Sequence, residues 1–191
     1  MVHQLWRQFP TVQRELTQLQ PYLLKVVTLP NQPIHTKITQ LLKSGGKLLR
    51  PGFFYLFSAF GTQRDENALR AGAASLEILH VATLIHDDVI DASPLRRGVT
   101  TIHTQYGSRN AIYAGDYLFT VYFSEVMKAT QDVAQLQLHI DSMREILVGE
   151  LAQMQLNYKQ SVTEAEYFNE ITGKTAELFW LSCRQGVALT G

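Results

Sequence analysis

Five of the six prolines in this 191-residue chain lie at or before Pro51, and the sixth is Pro94. Interior proline costs a helix about 3 kcal/mol, so most of the sequence is free to run in long helices. Apolar residues recur at helical spacing in nearly every window, and no alternation marks strands. Leu5, Phe9, Val12, Leu16 and Leu19 form a first stripe; Ile34, Ile38, Leu41 and Leu42 form a short second one. The pattern predicts a third helix from near Pro51, which suits the first helical position, to Phe60 and Gly61. A fourth is predicted from Asp65 or Glu66 to about Val89. Pro94, Gly98 and Gly107 mark Ala92 to Ser108 as a loop. Further helices are predicted from Asn110 to Ala129 and from Asp132 to Tyr158. The last is announced by Thr163-Glu164-Ala165-Glu166, a capping box, and continues through Ile171, Leu178 and Leu181 towards Gly186. The expectation is one all-α domain over residues 1–191, of about eight helices, without internal repeat or linker.

Seventeen basic side chains balance seventeen acidic ones. A neutral chain has no general attraction for nucleic acid or anionic membranes, so any anion site must come from a local cluster. The lone Cys183 cannot pair within the chain, which fits a reducing compartment. The longest apolar run, Phe53 to Phe57, falls far short of the roughly 18 to 20 residues of a membrane span, and the N-terminus lacks the features of a signal peptide. A soluble, cytoplasmic protein without a transmembrane segment is expected.

The sharpest local feature is His86-Asp87-Asp88-Val89-Ile90-Asp91 at the end of the fourth helix. At about 100° per residue, Asp87 and Asp91 lie about 40° apart and Asp88 about 60° from Asp91, so all three acids are expected on one side. Crowded carboxylates repel, and at a helix C-terminus they also oppose the dipole. A solvated helix end with a core histidine is the plain alternative, and it fits three acids within five residues poorly. Such a cluster suits a hard cation such as Mg²⁺, which binds through one or two carboxylates plus substrate phosphates. Thr83 and His80 continue the same polar line up the helix.

Separate cations could hold the anion. Lys47 and Arg50 lie on a glycine-opened loop, Gly45-Gly46-Lys47-Leu48-Leu49-Arg50-Pro51, before a helix N-terminus where backbone N–H groups favour phosphate. Arg96 and Arg97 in the predicted loop can address two phosphate groups. Gly173-Lys174-Thr175 puts glycine inside an apolar helix, which suggests close backbone approach or a local break. Gly149-Glu150-x-x-Gln153 places polar groups in another apolar pattern. Together these describe a magnesium-bridged diphosphate site among helices rich in Phe, Tyr and Leu.

In this order the motifs resemble those of the trans-type polyprenyl diphosphate synthases, in particular the medium- and long-chain bacterial group that includes heptaprenyl diphosphate synthase component II. They are Gly45-Gly46-Lys47-x-x-Arg50-Pro51, Leu76-Glu77-x-x-His80, Leu84-Ile85-His86-Asp87-Asp88-x-x-Asp91, Arg96-Arg97-Gly98, Gly115-Asp116-Tyr117-Leu118, Gly149-Glu150-x-x-Gln153 and Gly173-Lys174-Thr175-Ala176. The resemblance implies the N-terminal part of the isoprenoid synthase helical bundle, and a head-to-tail condensation of isopentenyl diphosphate with an allylic diphosphate. It assigns Mg²⁺ to Asp87 and Asp91, with Asp88 beside them. Arg96, Lys174 and Gln153 are implied to hold the allylic diphosphate, with Thr175 facing the developing cation. Lys47, Arg50, His80 and Arg97 are implied to seat isopentenyl diphosphate. Ala82 and Thr83, one turn before the first aspartate, offer no bulky floor, which implies products longer than fifteen carbons. The family's dimeric habit implies a homodimer.

The chain departs from the family in having Leu48 after the Gly-Gly-Lys and in lacking a second Asp-Asp-x-x-Asp: after Asp91 its aspartates are Asp116, Asp132 and Asp141, none paired. It is therefore expected to be an incomplete form, inactive alone. The other possibilities are a natural short chain working with another subunit and a non-catalytic helical subunit of a heteromeric synthase. From another class, His86-Asp87 could belong to an HD-type metal-dependent phosphohydrolase. That chemistry needs a further histidine and a distant aspartate on other helices, and His80 shares the dyad's own helix.

Overall fold

The computed structural model describes residues 2–44, 46–156 and 161–191. Gly45 and the predicted helix end at Tyr158 lie outside the described residues. The architecture is all-α: α1 (Pro10–Val26), α2 (Gln32–Lys43), α3 (Leu49–Phe57), α4 (Glu66–Ile90), α5 (Ile102–Tyr106), α6 (Ser108–Ala129), α7 (Val133–Leu156), α8 (Glu164–Ile171) and α9 (Glu177–Ala188).

The hub is α4. Its sequence supplies small residues, Ala71 to Ser75 and Ala82, at positions that are all buried, and these let neighbouring helices approach closely. α6 lies along it, contributing Ala111, Ala114, Gly115 and Leu118. A Cβ on Gly115 would sit 2.2 Å from Cε1 of His86, so only glycine lets the two helices meet there. Leu69, Leu76, Ile78, Leu79 and Ile85 complete the core, each contributing about 1.5–3 kcal/mol by leaving water. By length and composition α4 is long and apolar enough to cross a membrane, but 72% of its most apolar window is buried inside this fold. Its apolarity reflects helices packed around it.

The first apolar stripe divides into two elements: a 3₁₀ turn over Gln4–Gln8, then α1 with Pro10 as its first residue. α1 continues through Pro21, whose ring sits on the exposed side, while Leu16, Leu19 and Leu23 are buried on the other. Burial of those leucines outweighs the lost backbone bond. The predicted loop after α4 contains a hairpin of β1 (Leu95–Arg96) and β2 (Val99–Thr100), with Arg96 opposite Val99. Its two turn residues, Arg97 and Gly98, both have positive φ (51° and 78°), the signature of a tight hairpin turn. Two-residue strands are too short for alternation to show. The Thr163–Glu166 capping box is present, with both reciprocal bonds formed.

Candidate active site

Three helices bring the site together. The C-terminal end of α4 carries the acids, α7 carries Glu150 and Gln153, and a single π-helical turn, Thr172–Ala176, joins α8 to α9 and carries Lys174. Gly149 and Gly173 cross at close quarters: a Cβ on Gly149 would lie 2.8 Å from the backbone nitrogen of Lys174, and one on Gly173 would lie 2.9 Å from the Glu145 carbonyl oxygen. Both possibilities raised by glycine inside this helix are realised, the close approach and the local break. The consequence is that Lys174 reaches across to α7, donating to Glu150 at 3.0 Å and to Gln153.

Arg50, His80, Thr83, Asp87, Lys174 and Thr175 line one cavity of about 130 Å³, together with Glu150 and the apolar Leu84, Ile146 and Leu178. The cationic and acidic motifs therefore meet. The Asp87 carboxyl is pushed up to about 6 by burial and then by the nearby charge of Glu150, with Asp91 adding to it against the opposing pull of Lys174 and Arg96. Arg50 stacks 5.0 Å above the Phe179 ring, and its Nε is buried without a hydrogen-bond partner. A buried orphan donor is costly, and an anion entering this cavity would satisfy it. His80 is held far below the usual histidine range, to about 3, by burial and by Arg50, Arg97 and Arg96. That environment favours the neutral imidazole.

The three acids do not share one side. Asp88 is 4% exposed and turned towards the hairpin, where its Oδ1 accepts from Nε of Arg96 at 2.6 Å. Burial raises its carboxyl, and the Arg96 bond opposes that. Asp91 is exposed at the helix end. The cause is helical: Asp87 and Asp88 are about 100° apart, enough for one to face α7 and the other β1. Adjacent Arg96 and Arg97 likewise separate, Arg96 on β1 engaging Asp88 and Arg97 at the turn with its guanidinium against Gly46. The Lys47 side chain is exposed. Ala82 is fully buried rather than in the cavity, so Thr83 is the member of that pair facing Asp87.

Glu77 belongs to the Leu76-Glu77-x-x-His80 motif. It is 5% exposed in the middle of α4, and burial raises its carboxyl while Arg50 and Arg97 oppose the rise. A lone acid in an apolar helix, one turn before His80, was the available signal. Its buried carboxyl lies within the electrostatic reach of both arginines.

His86 faces α6, not the cavity. Its ring nitrogens lie 3.0 Å from the Ala82 carbonyl and 3.1 Å from the Asp116 carboxylate, and the ring stacks on Phe119. The His86-Asp87 dyad thus points in two directions, which removes the geometry a phosphohydrolase of the HD type requires.

Mg²⁺ is tested by the donors themselves. Among the described residues no three His, Cys, Asp or Glu side chains converge as a ready cage. Asp87 with Asp91 four residues on supplies hard oxygens, and a cation would offset the burial, and then the Glu150 and Asp91 charges, that hold Asp87 up. One or two carboxylates, completed by substrate oxygens, is the ordinary requirement of magnesium. The residues fit.

Residues 31–191 match the family profile described as polyprenyl synthetase. The chain is 34% identical over 177 residues to heptaprenyl diphosphate synthase component 2 of Geobacillus stearothermophilus, covering 93% of this chain and 55% of that protein. Among solved structures, geranylgeranyl pyrophosphate synthase from Lactobacillus brevis ATCC 367 superposes with a TM-score of 0.97 at 65% identity, covering 98% of this chain and 58% of that one. A polyprenyl synthase from Caulobacter crescentus CB15, complexed with calcium and isoprenyl diphosphate, superposes with a TM-score of 0.88 at 28% identity, over 95% of this chain and 55% of that one. The chain spans about half the length of the curated relatives it matches. By sequence and by its all-helical isoprenoid synthase fold, this chain belongs to the polyprenyl synthetase family.

Proposed function

We propose that this chain carries the two diphosphate subsites of a Mg²⁺-dependent, head-to-tail polyprenyl diphosphate synthase. The observation that carries the reading is the single cavity joining Asp87 of α4 to Lys174 of the π turn and Arg50 of α3. Asp87 and Asp91 would hold magnesium, which when bound neutralises diphosphate charge and so favours departure of the leaving group. Lys174, fixed by Glu150 and Gln153, places a cation beside the leaving diphosphate. Arg50 offers its unpaired Nε to the second diphosphate, and Lys47 and Arg97 flank it. His80, neutral, serves as a hydrogen-bonding partner without adding charge. These groups act by positioning one substrate's double bond against the other's allylic carbon. Thr175, exposed at the cavity mouth, would face the developing positive charge, and the absence of an aromatic at Ala82 or Thr83 supports products longer than fifteen carbons.

The setting is cytoplasmic and the working form a dimer, with a second copy or a distinct subunit. The name of the Geobacillus relative, a component 2, and the exposed apolar positions Leu147, Leu151 and Met154 on α7 support a partner there. Because the sequence holds no second Asp-Asp-x-x-Asp, the 191-residue chain alone binds diphosphate without turning it over. The test is incorporation of labelled isopentenyl diphosphate onto an allylic diphosphate with Mg²⁺. No product is expected from this chain alone. Full turnover would overturn the inactivity, and failure to bind any diphosphate would overturn the proposal.

A further inference from the structure

Trp6 stands in the 3₁₀ turn Gln4–Gln8, ahead of residues 31–191 that match the family profile. It is 2% exposed, yet its indole N–H reaches 41 residues along the chain to donate to the backbone carbonyl of Lys47 at 2.5 Å. The ring lies over the first turn of α3, where a Cβ on Gly52 would come within 2.0 Å of Cζ2 of Trp6. The next residue, Leu48, is the N-cap of α3 and adopts a left-handed conformation with φ 48°. A leucine seldom takes that conformation unless its surroundings impose it. Here the imposing contacts are the buried Leu48 side chain, the Leu48 carbonyl accepting from the Gly52 N–H, and the indole on the preceding carbonyl. The Arg97 guanidinium closes on the same loop, against Gly46.

We infer that Trp6 is a positioning residue for the isopentenyl diphosphate subsite: its N–H locks the Lys47 peptide, and through it aims the Lys47 side chain and the first turn carrying Arg50. The inference rests on the proposed assignment of Lys47 and Arg50 to that subsite. A buried indole could have been satisfied by many carbonyls. It is satisfied by that of a residue implied to bind substrate, beside a left-handed leucine.

The test is calorimetric titration of the 191-residue chain with isopentenyl diphosphate in EDTA, which reads the basic subsite without metal. Trp6→Phe keeps the packed ring and removes the N–H, and it is expected to weaken binding about tenfold, the order of effect of partners that orient a ligating group. In a Lys47→Ala background the same substitution is expected to cost distinctly less than in the parent, because only the aim of Arg50 is then left to lose. Equal affinity of Trp6→Phe and the parent, or an equal loss with and without Lys47, overturns the inference. No binding by the parent chain overturns the subsite assignment itself, and the inference with it. Should Trp6→Phe fail to fold, the Trp6 indole resonance in ¹⁵N spectra of a Trp180→Phe chain is expected to shift on titration. An unmoved resonance in a chain that binds the ligand also overturns the inference.

Discussion

α4 and α7 are nearly equal in length, 25 and 24 residues, and each supplies one wall of the site, but they are buried in opposite styles. α4 is enclosed on nearly every side, so that even Glu77 and Asp88 are buried. α7 buries one narrow line, His139, Ser142, Ile146 and Gly149, and leaves Ile140, Leu147, Val148, Leu151 and Met154 exposed. The difference shows why the acids can be held so differently. Asp88, on the enclosed side, has a fixed partner in Arg96, whereas Asp87 looks across a cavity at a helix anchored by a single line of contacts and a glycine crossing.

Core truncation should expose this contrast most strongly. Leu79→Ala in α4 is expected to lower unfolding free energy by about 2–5 kcal/mol, while Leu151→Ala on α7 stays within about 0.5 kcal/mol. Urea denaturation of both variants checks this, and similar losses would end the comparison. Next in size, Asp88→Ala is expected to cost about 1 to 2 kcal/mol, the loss of the Arg96 hydrogen bond being partly offset because burial also disfavours the Asp88 charge. Asp87→Ala should be neutral or stabilising at pH 7, because the fold already disfavours its charged form. At the glycine crossing, Gly149→Ala is expected to cost about 1 to 2 kcal/mol by overpacking and to separate Lys174 from Glu150, visible as a shift of the Lys174 side-chain resonance.

The last contrast is a pH dependence, which appears only on the acid side. His139 on α7, bonded to the Tyr122 hydroxyl, is held down to about 4 by burial. The unfolded chain therefore binds this proton more readily than the folded one. Its contribution to stability is intact above about pH 6.5 and is lost progressively as pH falls from there towards 4. Melting temperatures across that range should fall in the parent and fall less in His139→Gln.

Much of this was legible in the sequence, because long helices without proline announce themselves by period. The α4 boundaries, the capping box at Thr163 and the significance of Gly173 all follow from local chemistry. Three features were hidden. The division of Asp87 from Asp88 depends on which helices pack against each face, and periodicity states a face without naming its neighbour. The hairpin at Arg96-Arg97 is too short to alternate. Trp6 lies outside the stripe of Leu5, Phe9, Val12, Leu16 and Leu19, and a contact 41 residues away leaves no mark on local pattern.

The central claim is that Asp87 and Lys174 form one metal-assisted diphosphate site, and calorimetry with an allylic diphosphate, geranyl diphosphate, tests it most directly. Binding is predicted with Mg²⁺, with loss of affinity in EDTA and in Asp87→Asn, while the variant remains as stable as its parent. Equal affinity with and without metal, or an Asp87→Asn chain that binds as tightly as the parent, would contradict it.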